Sequence, residues 1–201
     1  MKRMFALSTA LLVTLAASAC GGGDDAGEEP GAADTPSTEG TAPAQPGDTG
    51  AGAQAGEMPS WFRVNGNQVE IDLVAGSTPD NNYWNFNGGT NGSITINVPE
   101  GAQVTINFRN DDPNMAHSAG IAPFTASPPA SPAAESVFEG AITSNPTSMT
   151  EATMTGQSET ITFTAGQAGE YALLCYVPGH AVSGMWLRFN VGGEAGVTGA
   201  S

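Results

Sequence analysis

From Trp61 to Val191, apolar residues return at every second position, a rhythm that a strand satisfies and a helix does not. Val69, Ile71 and Leu73 alternate with Gln68, Glu70 and Asp72, and Ile94, Ile96 and Val98 with Thr95 and Asn97. Val104, Ile106 and Phe108 repeat the pattern after the turn signal Pro99-Glu100-Gly101. Ile161 and Phe163 follow, then Tyr171, Leu173 and Cys175, and last Met185, Leu187, Phe189 and Val191. Successive strand side chains point to opposite faces, so each run offers one face to a core and one to water. Asn65-Gly66, Asn87-Gly88-Gly89 and Asn91-Gly92 break the early runs. About seven short strands and no helical period predict an all-β chain folded as an antiparallel sandwich. Residues 123–155, rich in Pro, Ser, Thr and Ala, interrupt the rhythm as a long insertion before the last strands, with a short helix expected near Ala133 to Val137.

The first sixty residues have a different character. Lys2 and Arg3, an apolar run from Met4 to Ala17 and the small residues before Cys20 have the layout of a secretory signal, residues 1–19. The apolar run is shorter than the roughly 20 residues a membrane span needs. Ala17-Ser18-Ala19-Cys20 resembles the lipobox of bacterial lipoproteins, although Ala17 stands where that family usually has Leu. The resemblance implies a lipid on Cys20 and an extracytoplasmic protein, periplasmic or at the cell surface. Residues 20–59 are acidic and rich in Gly, Ala and Pro, without an aromatic residue, and cannot bury enough surface to offset the entropy of ordering. They are expected to form a tether. The folded domain is expected over 60–193, with a tail at 194–201.

Charge excludes one class of partner. Without Lys2 and Arg3 the chain has three Arg and no Lys against twenty acidic residues, a net charge of −17. Nucleic acid binding requires clustered cations. An anionic membrane would repel such a chain, so membrane association would rest on the lipid.

The chain has two cysteines, Cys20 and Cys175, so acylation of the first leaves the second unpaired. Cys175-Tyr176-Val177-Pro178-Gly179-His180-Ala181-Val182-Ser183-Gly184-Met185 reads C-x4-H-x4-M. A thiolate, an imidazole and a thioether suit copper in both its oxidation states. One loop between two strands brings them together, turned by Pro178-Gly179. A blue copper site needs one further imidazole, and the remaining histidine is His117, expected at the start of a strand running to Ala122. Taken singly, Met185 reads as core, His180 as a loop residue and His117 as a strand-end histidine. Their joint spacing around the one free thiol makes them a candidate metal site.

The loop from Val177 to Trp186 resembles that of the cupredoxins, and within them sulfocyanin and its bacterial relatives; rusticyanin and auracyanin are similar in having the same spacing. The resemblance extends through Asn85-Phe86-Asn87-Gly88 and the Ile94 to Phe108 strand pair to Met115-Ala116-His117-Ser118. It implies a Greek-key sandwich holding one type 1 copper, with His117, Cys175 and His180 in the strong plane and Met185 axial. Ser118 would hydrogen-bond the backbone of the ligand loop, in keeping with an outer-sphere orienting role. The implied activity is single-electron transfer, not catalysis, by a monomer. Its implied partners are redox proteins such as a haem–copper oxidase or cytochrome. The ring edge of His180 would be the electron's exit, within an apolar docking patch of Val177, Pro178, Ala181 and Val182.

Other functions compete. A copper enzyme with a type 2 or trinuclear centre needs further histidines, and a binuclear purple centre needs a second cysteine at the site. A copper carrier or store remains, with Met149 and Met154 as extra donors. A structural zinc site is the last alternative, although zinc rarely takes Met.

Overall fold

The computed structural model describes residues 58–200. The signal, Cys20 and nearly all of the expected tether lie outside the described residues. Nine strands follow in chain order: β1 (Phe62–Asn65), β2 (Gln68–Ala75), β3 (Thr95–Val98), β4 (Gln103–Asn110), β5 (Gly120–Pro123), β6 (Ser158–Thr164), β7 (Gly169–Leu174), β8 (Trp186–Val191) and β9 (Gly196–Thr198). They form two sheets, of order β1-β2-β4-β6 and β5-β7-β8-β3-β9.

The alternating residues meet between the sheets. Ile71 and Leu73 of β2, Ile106 and Phe108 of β4 and Phe163 of β6 pack in one core with Ile96 of β3 and Leu187 and Phe189 of β8. Phe163 and Phe189 lie 6.1 Å apart between ring centres. Burying an aromatic or aliphatic side chain of this size stabilises the fold by roughly 1.5–3 kcal/mol. The polar members of each run face outward, where Arg63 of β1 pairs with Glu70 and Asp72 of β2.

The sheets are mixed, not purely antiparallel. β2 runs parallel to β4, with Gln68 opposite Gln103 and Ala75 opposite Asn110, and β3 runs parallel to β8. Alternation encodes which face is buried but not strand direction. β9 pairs antiparallel with β3, placing Gly196–Thr198 in the sheet and not in a tail. Three residues with a single branched aliphatic are too few to carry a period.

Residues 123–155 hold no helix; Ala133 to Val137 are irregular, with bends at Ala134 and Val137. The insertion covers the outer face of the second sheet, where Phe124 and Ile142 pack on Ala122, Ala172, Leu174, Tyr176, Ala181 and Trp186. Thr143 N–H donates to Ala119 O at 2.9 Å and Ile121 N–H to Ala141 O at 3.0 Å. This cover explains why β7 ends in four consecutive buried residues where a half-exposed strand would alternate.

Candidate metal centre

The last two long strands carry the site. β7 and β8 are antiparallel neighbours with Leu174 opposite Trp186, so Cys175 to Met185 is the tip of a hairpin. Cys175 N–H donates to Met185 O at 3.2 Å and closes the tip. Inside it, His180 N–H donates to Val177 O and Met185 N–H to His180 O, curling the loop so that His180 turns inward. Gly179 and Gly184 make the bends, with φ of +88° and +102° that other residues rarely adopt.

His117 arrives from the connection between β4 and β5. The strand expected from His117 begins only at Gly120; His117 itself bridges Thr153 of the insertion, its N–H donating to Thr153 O at 3.0 Å. Asp112 N–H donates to the Asn110 side chain, and Asp112 accepts from Asn114 N–H at 2.8 Å and Met115 N–H at 3.3 Å, which shapes this turn.

His117, Cys175 and His180 are brought together, buried, with one potential donor atom each inside 4.8 Å. His117 Nδ1 lies 3.1 Å from His180 Nδ1; Cys175 Sγ lies 3.8 Å from the first and 3.5 Å from the second. The point equidistant from these three atoms is about 2.0 Å from each, within the roughly 2.0–2.3 Å of imidazole and thiolate bonds to a first-row ion such as zinc. Met185 is fully buried at the end of the same loop.

Tautomer and hydrogen bonding aim these donors. Asp112 Oδ2 lies 2.8 Å from His117 Nε2. A carboxylate there holds the proton on Nε2 and leaves the Nδ1 lone pair facing the other two donors. Tyr176 N–H donates to Ser118 Oγ at 2.9 Å, tying the His117 segment to the loop. Ser118 N–H also donates to Cys175 Sγ at 3.5 Å.

Burial sets the protonation of the three residues. It pushes the Cys175 thiol up, and the hydrogen bonds from Ser118 offset only part of this. It holds His117 below the usual imidazole range, against the pull of Asp112. His180 is pushed down to about 4, by burial first and then by its neighbour His117. The metal-free fold therefore presents two neutral rings and a thiol, and an ion binding here displaces the thiol proton.

A pH dependence follows. In the unfolded chain both rings take up protons near their ordinary value of about 6.5, whereas the fold resists this until lower pH. The unfolded state then binds more protons, so stability rises with pH across that window. The denaturation midpoint of the metal-free protein should be level from about pH 6.5 to about 8, below the ordinary thiol range, and fall as pH drops toward about 4. A midpoint unchanged or rising on acidification from 6.5 to 4.5 would contradict these neutral rings.

Two surface expectations are overturned. His180 is 1% exposed and presents no ring edge to solvent. Trp84 stacks on it, with ring centres 4.2 Å apart and planes inclined by 18°. Of the expected docking patch, Val177 and Ala181 are buried, leaving Pro178 and Val182 outside. The insertion accounts for part of this burial, since Gly179 N–H donates to Ala130 O and the Tyr176 hydroxyl to Glu135 O. Met149 and Met154 lie exposed on that insertion. Sequence reasoning passed over Asp112 and Trp84: the first sits in a run that reads as a turn, the second among asparagines.

A two-sheet sandwich with two histidines and a cysteine gathered at the tip of its last long hairpin is the arrangement of the cupredoxins. Residues 56–198 match the Sulfocyanin (SoxE) domain, and the chain belongs to that family. Sulfocyanin of Sulfolobus acidocaldarius is 32% identical over 123 residues, 59% of this chain and 60% of that protein's length. Among solved structures, rusticyanin from Thiobacillus ferrooxidans is 26% identical, with 65% of this chain and 86% of that chain covered and a TM-score of 0.40. Dithionite-reduced auracyanin from Roseiflexus castenholzii is 23% identical, covering 61% and 95%, with a TM-score of 0.42.

Proposed function

We propose that this chain is a mononuclear type 1 copper protein that carries single electrons between extracytoplasmic redox partners. The convergence of His117 Nδ1, His180 Nδ1 and Cys175 Sγ on one ion-sized point is the observation that carries the reading. Those three residues would hold the ion, with the thioether of Met185 as a further, weaker donor. That donor set favours copper over zinc, because thiolate and thioether together suit Cu(I) while imidazole suits both oxidation states. Bound copper supplies a one-electron couple, Cu(II) to Cu(I).

The protein's part is to keep its donors still while the charge changes. Asp112 fixes the ring of His117, Ser118 joins the two ligand segments, and the curled backbone holds His180. Core packing around Met185 excludes water and favours the less charged state. Burial of the donors also argues against a carrier that must hand copper on. An acylated Cys20 would tether the domain to the outer side of a membrane, within reach of a haem–copper oxidase or cytochrome.

The test is titration of the metal-free domain with Cu(II). It should bind one equivalent with an intense visible thiolate-to-copper band that bleaches and returns over a one-electron cycle. A colourless protein that binds zinc tightly and copper weakly would refute the assignment.

A further inference from the structure

We propose that Trp84 is the electron port of this protein: the indole stacked on His180 forms the contact between the buried site and an external redox partner. The proposal deepens the copper reading above and rests on it. None of His117, Cys175, His180 and Met185 is exposed, so an electron must cross another residue to reach the surface. Among the described residues two rings contact His180: His117, itself fully buried, and Trp84. Trp84 is only partly buried. It is therefore the one ring that touches the cluster on one side and solvent on the other.

The backbone places it there at a cost. Asn81, Asn82 and Tyr83 have φ of 51°, 59° and 64°, three successive non-glycine residues in the left-handed region. Strain of this kind persists where the surrounding structure enforces it. The Asn81 side chain donates to Trp84 O at 2.8 Å and to Ser183 O at 3.0 Å, locking the turn to the ligand loop. Asn85 is buried and donates to Thr78 O and Asp80 O, which holds the other side. Trp84 Nε1 has no hydrogen-bond partner, so the ring is fixed by its stack and its backbone rather than by a polar anchor. A ring with no polar task, held by a strained turn against a buried site residue, is placed for its π contact.

Electron tunnelling weakens steeply with the gap between orbitals, and a ring in stacked contact carries overlap across its own width where a saturated side chain does not. Trp84 would relay one electron from the reduced site to a one-electron acceptor, or the reverse, with no bond made or broken and no oxidation of the indole itself. Val182, two residues beyond His180 in the same loop, is 52% exposed and adds apolar surface to that loop for a brief encounter.

The test compares copper-loaded wild type, Trp84→Phe and Trp84→Leu in oxidation by tris(phenanthroline)cobalt(III). Stacking is also read in the metal-free proteins from the ring-current shift of the His180 protons. The Phe variant should keep the shift and react within about threefold of wild type, and the Leu variant should lose the shift and slow about tenfold, inside the range that mutants of one contact surface span. All three should keep the same visible band. Equal or faster oxidation of the Leu variant, with the shift lost and the band intact, would overturn the port and make Trp84 a lid. Absence of the band from wild type would instead remove the copper reading itself.

Discussion

A Cys175→Ser variant is expected to fold, to take up Cu(II) weakly and to show no intense visible band. The serine hydroxyl is smaller, harder and protonated at neutral pH, so it supplies neither the soft donor nor the charge-transfer transition of a thiolate. The fold should survive because Ser118 N–H, which now donates to Cys175 Sγ, can donate to an oxygen in its place. The loss of copper affinity should exceed the roughly 10–100-fold that removal of a ligand's own hydrogen-bond partner costs. Absorption and competitive titration check both expectations, and a variant that retained the band would remove Cys175 from the site.

Asp112→Ala should weaken copper binding by about 10–100-fold while leaving all four proposed ligands in place. Without the carboxylate, the proton of His117 is free to move to Nδ1, where it blocks the lone pair aimed at the other donors. The same change leaves the buried His117 ring N–H unsatisfied, at about 1–3 kcal/mol, and adds less from Asn114 and Met115 N–H, which water can reach. Denaturant unfolding of the metal-free variant reads the second effect and chelator competition the first. Native affinity in Asp112→Ala would mean that His117 is oriented by its backbone alone.

The legible part of this molecule was the part written in a period. β2, β4, β6 and β8 lie where alternation puts them, because each has one face in the core between the sheets. β1 and β9 were passed over because they hold two and one alternating apolar residues, where Ile94 ahead of β3 gives that run a third, and the parallel pairings because pattern carries no direction. The C-x4-H-x4-M loop was legible since its residues share one hairpin tip. His117 could be joined to it because no other histidine existed. What composition could not reveal is how residues remote in sequence close over the site. The insertion reaches Gly179 through Ala130, and Trp84 reaches His180 from a turn nearly a hundred residues earlier. Both contacts depend on chain reversals with no periodic signature, so an apolar loop that read as a docking face is in fact mostly interior.

The two segments that meet at the cluster are 58 residues apart, and the whole insertion hangs between them. An ion held from both sides cinches that span into a ring. A permanent cross-link over such a length removes about 4 kcal/mol of freedom from an unfolded chain. A reversible clasp exerts the same restraint for as long as it stays shut. Loading and folding are then thermodynamically one process: cargo that grips the native seam strengthens it, and stripping the cargo loosens the join between the last hairpin and the rest of the sandwich.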